Sequence, residues 1–495
     1  MNEASISCDL IVVGAGLGGV IAAARSAQLG RKVLLLEARP QVGGTALFSG
    51  GGVHIFGARS WEEYRRYCPE SDEILARRLF DSFVPFVAWL ESTRAPGRYR
   101  TTTLRGHRNS KYQLGKTIAP HHRAAWFRHM AGIVQDAGST VLTDTRVEDL
   151  LEDADGLAGV SARRHGQPFV AHARQVILAA GGFQNNQPML TELISKAGVA
   201  IMCRAVAENT GDGLRLAEKL GGSSTSKMGT FYGHLMPAPP CTIDWSDPLQ
   251  PMLMTAFYAE HGIVIDAAGE RFVDEGAGDI SGLMVNAAAA RGTESLWVVM
   301  DGQIRRRYAR YDLPLDLLRP TNLRYYRLLP YMGVKWIRGR PTMSVDSIRF
   351  VTDRGAVALV DQTIDGLGTQ LQQHGVSRAG FLETVRTFND AVQQGSVDEL
   401  AVPKTVAVYP LTQPPFLAIK VVPGVSMTYG GVRINEHAQV LQPDNAPVPS
   451  LYAVPGTAGG IHERYYAGSL AACGVFGMIA AEHAASAQRS AVHSL

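Results

Sequence analysis

The stretch "DLIVVGAGLGGVIAAARSAQLGRKVLLLE", residues 9–37, decides the fold. Its apolar runs "LIVV" and "KVLLLE" predict two buried strands of a parallel sheet. Between the runs, Gly14, Gly16 and Gly19 form the pattern G-x-G-x-x-G at the start of an alanine-rich helix. Glycines there allow a tight turn and a close backbone approach to a pyrophosphate, which the N–H groups of the helix start can bind. The stretch therefore predicts a Rossmann-like nucleotide-binding unit.

An acidic residue ends the second predicted strand. Glu37 lies about 20 residues after the glycine turn, where a carboxylate can accept hydrogen bonds from ribose hydroxyls. In the alternative interpretation, the glycines only pack helix against strand and Glu37 is a solvated strand end. The predicted contacts of the turn and ribose are Gly14, Gly16, Leu17, Gly18, Gly19, Glu37 and Ala38.

A second glycine-rich segment, "ARPQVGGTALFSGGGVHIFG", follows at once at residues 38–57. NAD does not need such a segment, whereas a longer cofactor that continues past the pyrophosphate does. Glycine lets the backbone come within contact of that extension. The pattern favours FAD over NAD, with predicted contacts from Gly43, Gly44, Thr45, Ser49, Gly50 and Gly51.

Composition narrows the function classes. The 495 residues carry a net charge of only +3, and the sequence contains no basic run. Nucleic-acid binding is therefore not expected. The five cysteines are scattered without CxxC spacing, which indicates reduced thiols and predicts no metal site. The first apolar run is too short for a membrane span. A cytoplasmic location is the resulting expectation.

Further motifs occur in a fixed order along the chain. They are "QVILAAGGF" (175–183), "NTGDGLRLAEKLGG" (209–222), "GIVIDAAGERFVDE" (262–275), "PPFLAIKVVPGVSMTYGGVRINEHAQVL" (414–441) and "LYAVPGTAGGIHERYYAGSLAACGVFGMIAAEHA" (451–484). Together with the N-terminus they resemble the FAD-dependent oxidoreductases of the fumarate reductase, succinate dehydrogenase flavoprotein and 3-ketosteroid dehydrogenase group. The resemblance implies additional FAD contacts from Val147, Ala180, Gly181, Asp212, Gly468, Ser469 and Leu470.

The resemblance also implies the fold. We expect an α/β protein with a Rossmann-like FAD-binding domain of the glutathione-reductase type and an inserted α+β cap domain. The FAD-binding domain would comprise residues 1–229 and 428–495, and the cap or substrate domain residues 230–427.

The chain departs from the family pattern at several positions. The position at which the family carries its proton-delivering arginine is either Gly278 or deleted in this chain. Met427 replaces one of two substrate histidines, and His234 is a candidate for the other. Fumarate is therefore an unlikely substrate, because a dicarboxylate needs several cations and donors. Gly44 replaces the histidine that tethers flavin in the respiratory members, which predicts non-covalent FAD.

Residues 464–466, "RYY", precede the C-terminal helix and allow two alignments. In one, Arg464 matches the substrate-binding arginine of the family. In the other, Tyr466 matches the tyrosine with which ketosteroid dehydrogenases polarise the substrate ketone. Adjacent tyrosines point to different sides, so one of Tyr465 and Tyr466 is expected to pack in the interior. The candidate catalytic residues are Tyr466, Arg464, Tyr465 and His234, with Tyr232 and Tyr258 as further candidates for proton exchange.

We therefore expect hydride transfer between flavin N5 and a CH–CH or C=C bond next to a carbonyl group, in either direction. The small-molecule substrate would be a carbonyl compound other than a dicarboxylate. Because no second G-x-G-x-x-G occurs, the electron donor or acceptor is expected to be a separate molecule. The alternatives are reduction of an unsaturated carboxylate, as in fumarate reductase, and a non-catalytic flavin-binding assembly subunit.

Overall fold

The structure is a computed structural model. It describes residues 6–56, 59–104, 107–116, 120–195, 199–244, 247, 249–276, 280–292, 296–313, 328, 330–337, 340–463, 466 and 468–493. The chain divides into two compact units. Unit 1 comprises Met1–Asn186, Ala205–Phe231 and Met427–Leu495, and unit 2 comprises Gln187–Arg204 and Tyr232–Ser426.

The strands are numbered in chain order. They are β1 (Ile6–Ser7), β2 (Leu10–Val13), β3 (Val33–Leu36), β4 (Gly52–Val53), β5 (Arg98–Leu104), β6 (His107–Gln113), β7 (Thr140–Leu142), β8 (Thr145–Asp153), β9 (Gly156–Arg164), β10 (Gln167–His172), β11 (Val176–Leu178), β12 (Met202–Cys203), β13 (Phe231–Pro237), β14 (Ile263–Ile265), β15 (Leu296–Met300), β16 (Arg310–Leu313), β17 (Met332–Ile337), β18 (Arg340–Asp346), β19 (Ala358–Asp361), β20 (Phe416–Thr428), β21 (Gln439–Leu441) and β22 (Pro447–Ala453).

The α helices follow the same numbering. They are α1 (Leu17–Gln28), α2 (Trp61–Tyr67), α3 (Glu73–Ser92), α4 (Pro120–Asp136), α5 (Gln187–Leu193), α6 (Asp212–Lys219), α7 (Gln250–Leu253), α8 (Ile280–Ala290), α9 (Gly302–Tyr308), α10 (Ser347–Thr352), α11 (Ile364–Gln373), α12 (Arg378–Gln394) and α13 (Ser469–His493). Short 3₁₀ helices lie at Gly44–Phe48 and Phe257–Glu260.

Unit 1 is built on a mostly parallel sheet. Its strand order is β21-β22-β11-β2-β3-β7, and β22, β11, β2, β3 and β7 run parallel. All residues of β2 and β3 are buried, as expected for continuous apolar runs with both sheet faces covered. The predicted strand–helix–strand unit is present as β2, α1 and β3. Antiparallel β8, β9 and β10 form a second sheet with β1.

Helix α13 packs closely against α1. A Cβ atom on Gly477 would lie 2.4 Å from the carbonyl oxygen of Gly18, so only glycine allows this approach. Arg25 of α1 also donates to Glu482 of α13 at 2.7 Å. By length and composition Ser469–Ala487 could cross a membrane, but 67% of it is buried, which is also typical of a core helix. The absence of a membrane span therefore stays a prediction.

Unit 2 has a mixed sheet with the order β12-β20-β15-β14, and β13 and β19 also pair with β20. Helices α11 and α12, which a turn with Gly375 at a φ of 81° separates, lie in this unit. The division differs from the prediction at residues 187–204, which belong to unit 2. Met202 and Cys203 pair in parallel with Gly424 and Val425 of β20, and this long-range pairing assigns the segment to unit 2.

Candidate functional site

The turn between β2 and α1 requires two of its glycines. Gly14 has a φ of 96°, and a Cβ atom on Gly19 would lie 1.8 Å from the carbonyl oxygen of Gly14. Gly16 is different, because a Cβ atom there would meet nothing within 4 Å. Gly16 is also the N-cap of α1, and no side chain caps this helix. The helix start is therefore open toward a ligand, as a phosphate-binding turn must be.

Glu37 lies at the end of β3 and is only 6% exposed. Its carboxylate accepts hydrogen bonds from the Ala15 N–H at 2.8 Å and from the Arg39 N–H at 2.9 Å. Burial raises the pKa of Glu37, and these two N–H groups oppose the shift. Each carboxylate oxygen has a second lone pair, so the group can also accept from ribose hydroxyls.

The second glycine-rich segment is held by two side chains from distant parts of unit 1. Arg123 is fully buried and donates from Nε and Nη2 to the Leu47 carbonyl at 3.0 and 2.9 Å. Gln113 donates to the Gly50 carbonyl at 2.9 Å. Neither residue is among the predicted site residues, because no local motif links them to residues 43–52. A buried arginine in "HHRAAWF" was the available signal.

Two hydroxyls of this segment are engaged within the protein. Thr45 Oγ1 accepts from the Val206 N–H at 3.3 Å and from Asn209 Nδ2 at 3.1 Å. Ser49 Oγ donates to the Ala46 carbonyl at 2.7 Å. Their predicted contacts with FAD stay predictions, as do those of Gly43, Gly44 and Gly51.

Asp212, predicted near the flavin, is the first residue of α6. Its carboxylate forms an ion pair with Arg146 at 2.6 Å and accepts from the Thr210 hydroxyl at 3.1 Å. Gly181, after β11, has a φ of 81° and its carbonyl accepts from Thr457 at 3.1 Å. Val147 precedes a bulge between β8 and β9. The FAD contacts of these residues and of Ala180 remain predictions.

At the start of α13, the described residues are Tyr466 and those from Gly468 onward, so Arg464 and Tyr465 lie outside the described part. A Cβ atom on Gly468 would lie 2.0 Å from the His54 carbonyl oxygen. Contact with the backbone of unit 1 is thus one reason for this glycine, which the sequence analysis did not foresee. Among the described residues, the buried Ser469 hydroxyl has no hydrogen-bond partner.

Tyr466 belongs to an aromatic group with His54 and Phe56. The ring centroids lie 6.2 Å from His54 and 6.1 Å from Phe56. His54 Nδ1 donates to the Gly52 carbonyl at 3.1 Å, which leaves Nε2 as an acceptor. Burial lowers the pKa of His54 to about 4, so the imidazole is neutral near pH 7.

Unit 2 contains a group of polar and aromatic side chains, which we call the Arg204 cluster. Its members are Arg204, Tyr232, His234, Thr255, Phe257, Tyr311 and Ser426. The Tyr232 hydroxyl and His234 Nε2 are 3.1 Å apart, and the His234 ring lies 5.1 Å from the ring of Phe257. Burial and the charge of Arg204 lower the pKa of His234 well below its ordinary value, so His234 is neutral.

Arg204 is held by hydroxyl groups. It donates from Nε and Nη2 to Thr255 Oγ1 at 3.2 and 2.9 Å, and from Nη1 to Ser426 Oγ at 2.7 Å. The sequence predicts His234 and Tyr232 as site candidates but misses Arg204, Thr255 and Ser426. One arginine in the apolar stretch "VAIMCRAVA" was the signal for Arg204. Tyr258, the other candidate, is buried, which raises the pKa of its hydroxyl.

Gly278, the position predicted to lack the proton-delivering arginine, lies outside the described residues. Met427 is the first residue of the last segment of unit 1. The structure therefore gives no geometry for the loss of the proton donor, and this prediction is not tested.

Comparisons with known proteins agree on the family. The family model described as an FAD binding domain matches residues 9–471. A probable fumarate reductase, Ifc3, from Shewanella frigidimarina is 22% identical over 97% of this chain and 75% of its own length. A vinyl phenol reductase from Lactiplantibacillus plantarum is 23% identical over 92% of this chain and 90% of its own.

Among solved structures, 3-ketosteroid delta1-dehydrogenase from Sterolibacterium denitrificans superposes with a TM-score of 0.74 at 21% identity. The match covers 98% of this chain and 100% of that one. The predicted α/β class, with a Rossmann-like FAD-binding domain and a cap domain, is confirmed, and so is FAD as the cofactor.

Proposed function

This chain belongs to the FAD binding domain family and is an FAD-dependent oxidoreductase of the fumarate reductase and 3-ketosteroid dehydrogenase type, and from that premise we propose that its substrate carries a CH–CH or C=C bond next to a carbonyl group. We also propose that this substrate is not a dicarboxylate. The observation that carries it is the Arg204 cluster, which gathers buried hydrogen-bond donors suited to a carbonyl oxygen.

The residues of unit 1 fit FAD. The open start of α1 at Gly16 suits the pyrophosphate, and the buried carboxylate of Glu37 suits the ribose. When bound, FAD supplies the two-electron hydride chemistry. Gly44 offers no side chain for a covalent bond to the flavin, which supports non-covalent binding.

The donors of the Arg204 cluster support a role in polarising a carbonyl. Preorganised donors stabilise an oxygen on which negative charge develops, and they do so most strongly where water is excluded. Tyr232 and the neutral His234 are 3.1 Å apart, so when the hydroxyl donates to Nε2 the imidazole hydrogen resides on Nδ1 and can donate a hydrogen bond to a ligand. A phenol and a neutral imidazole are suited to proton exchange at the carbon next to the carbonyl.

Tyr466 is the candidate of unit 1 for the same task. Its packing with His54 and Phe56 restrains the ring, and it precedes α13, whose start is a predicted flavin contact. Arg464, the candidate of the other alignment, remains a prediction. The direction of the reaction also stays open between desaturation and reduction.

We propose that electrons come from or pass to a separate partner molecule in the cytoplasm. The support is the single G-x-G-x-x-G motif of the chain and the scattered cysteines without CxxC spacing.

The test is anaerobic turnover with a reduced or oxidised dye on three substrate classes: an enone, an aryl acrylate and fumarate. We expect turnover in one of the first two classes and little with fumarate. Tyr232→Phe and Tyr466→Phe should each lower kcat by about 10²–10³ if the hydroxyl stabilises the developing oxyanion, with unchanged FAD content. Steady turnover of fumarate near the best rate would refute the substrate class.

Two further results would count against the proposal. No turnover in any class by an FAD-loaded protein would favour a non-catalytic flavin-binding subunit. Colour that stays in the pellet after acid precipitation would show covalent flavin and refute the expectation from Gly44.

A further inference from the structure

Arg204 is a buried cation without a counter-ion among the described residues. The residue is 9% exposed, and the hydrogen-bond acceptors of its guanidinium are the hydroxyls of Thr255 and Ser426. Within the described part of the chain, no carboxylate lies within ion-pair distance of it. Burial lowers its pKa, and the nearby phenols of Tyr232 and Tyr311 only partly oppose this effect.

A charge in such a place is costly unless something compensates it. Buried ionised groups are normally paired, because the protein interior solvates an isolated charge poorly. Unit 2 follows that rule elsewhere, since Lys404, which is 1% exposed, lies 3.3 Å from the carboxylate of Glu275. The exception at Arg204 therefore points to a negative group that is supplied from outside the chain.

Two N–H hydrogens of Arg204 are not used by the bonds to Thr255 and Ser426. A guanidinium has five N–H groups. The bonds to Thr255 and Ser426 use one on each of the three nitrogens. One hydrogen thus remains on each terminal nitrogen, and such a pair can bind both oxygens of one carboxylate.

The Arg204 cluster also contains aromatic rings that contact one another. The ring of Phe257 lies 5.1 Å from that of His234 and stacks on Tyr311 at 6.0 Å. Phe257 is 43% exposed and is one of the few large apolar side chains with such exposure among the described residues. An aromatic or conjugated ligand body would cover this surface, since offset rings attract each other.

We propose that the Arg204 cluster binds the single carboxylate of a molecule with an aromatic or conjugated body. The binding proposal rests on the proposed function where it concerns the reaction. It narrows the substrate of that reaction to an aryl-substituted unsaturated monocarboxylate. A neutral ketone would leave Arg204 uncompensated. A dicarboxylate would place its second charge where His234 is neutral and where the described residues of the cluster offer no second cation.

The experiment is equilibrium binding to the oxidised FAD-loaded protein without an electron donor. Calorimetry compares trans-cinnamate with trans-cinnamamide, which has nearly the same shape but no charge. We expect cinnamate to bind about 100-fold more tightly, as for a buried hydrogen-bonded charge pair. Arg204→Met should abolish this preference, because it weakens the binding of cinnamate far more than that of cinnamamide. Equal affinities in the wild type, or an undiminished preference in Arg204→Met, would overturn the proposal.

Controls separate binding from folding. Arg354 is half-buried in unit 2 and donates to the Phe350 carbonyl at 2.8 Å, so Arg354→Met removes a comparable charge outside the cluster and should keep the preference. If Arg204→Met does not fold, Arg204→Lys keeps the charge but loses the fork and should lower the preference about tenfold; a full preference in Arg204→Lys would contradict the forked contact.

The outcomes for binding and turnover are distinct. Cinnamate that binds through Arg204 but is never turned over would refute the proposed function and leave this inference standing. Turnover of a neutral enone, with no preference for cinnamate over its amide, would refute this inference and leave the proposed function standing.

Discussion

The described residues of unit 2 include two groups of buried basic side chains, one with a carboxylate partner and one without. Around Glu275, Arg271 donates from Nε and Nη2 at 3.0 and 2.7 Å, and Lys404 lies 3.3 Å away. The Glu275 carboxylate also accepts from the Val264 N–H at 2.8 Å. In the Arg204 cluster, the hydrogen-bond acceptors of the guanidinium among the described residues are hydroxyls.

The presence or absence of a carboxylate partner distinguishes a structural role for Arg271 and Lys404 from the ligand-binding role that we propose for Arg204. A buried carboxylate that is shared by two cations and a backbone N–H is complete, and its role is to connect β14 with the segment that carries Lys404. A buried cation with hydrogens to spare is incomplete without a ligand. Four predictions test this contrast, from the largest expected effect to the smallest.

Glu275→Gln should destabilise the protein most. It would leave Arg271 and Lys404 buried without a counter-charge, and breaking such a network costs about 3–5 kcal/mol of the free energy of unfolding. Urea unfolding followed by circular dichroism measures the loss. Glu383→Gln, on an exposed carboxylate paired with Arg386, is the control and should behave like wild type. Equal stabilities of Glu275→Gln and wild type would remove the contrast.

The stability of the protein should also fall in acid, because unit 1 encloses two imidazoles in their uncharged form. Burial lowers the pKa of both His54 and His462 to about 4. Well above pH 6.5 both side chains are neutral in the folded and the unfolded chain. As pH falls from 6.5 to 4, the unfolded chain takes up protons that the native one does not, so stability falls and then levels off. Each group should account for up to about 3 kcal/mol.

Unfolding free energies of wild type and His54→Asn across that range measure this effect. The variant should show a shallower decline. Parallel curves would mean that His54 does not resist protonation in the folded protein.

Arg204→Met should change the free energy of unfolding in the opposite direction from Glu275→Gln. Replacing an uncompensated buried charge by an apolar side chain of similar length is neutral or stabilising, here by about 1–2 kcal/mol in ligand-free protein. Lys404→Met, which leaves Glu275 with one cation fewer, should lower stability instead. The same urea series decides, and a destabilised Arg204→Met would assign Arg204 a structural role.

Ser426→Ala should give the smallest effect. It removes one acceptor of Arg204 and should cost about 1 kcal/mol of stability without ligand. Added cinnamate should restore part of that loss, because its carboxylate can replace the hydroxyl as an acceptor. A thermal shift with cinnamate no larger in the variant than in wild type would argue against that replacement.

The sequence predicts those parts of the molecule that depend on neighbours in the chain. The turn at Gly14 and Gly19 and the acid at Glu37 form one local pattern, because strand, turn and helix there are consecutive. His234 and Tyr232, which share one side of β13, could also be proposed from a single segment.

The rest depends on contacts between distant segments. Arg204 meets Ser426 because β12 pairs with β20, more than 200 residues later in the chain. Arg123 reaches the Leu47 carbonyl from α4. No periodicity or spacing encodes such meetings, and so the predicted domain bounds differ from the two compact units at residues 187–204.

The central sheet of unit 1 has a consequence for synthesis on the ribosome. Strand β11 pairs with β22, and Val176 lies opposite Leu451. One edge of β11 therefore stays uncovered until Leu451 has been synthesised. At ribosomal rates of about 5–20 residues per second, that wait is roughly 15–55 s. Throughout it, a nascent chain would expose an apolar strand edge that invites aggregation. Chains truncated before residue 447 should therefore depend on chaperones and be degraded early, however well unit 2 folds.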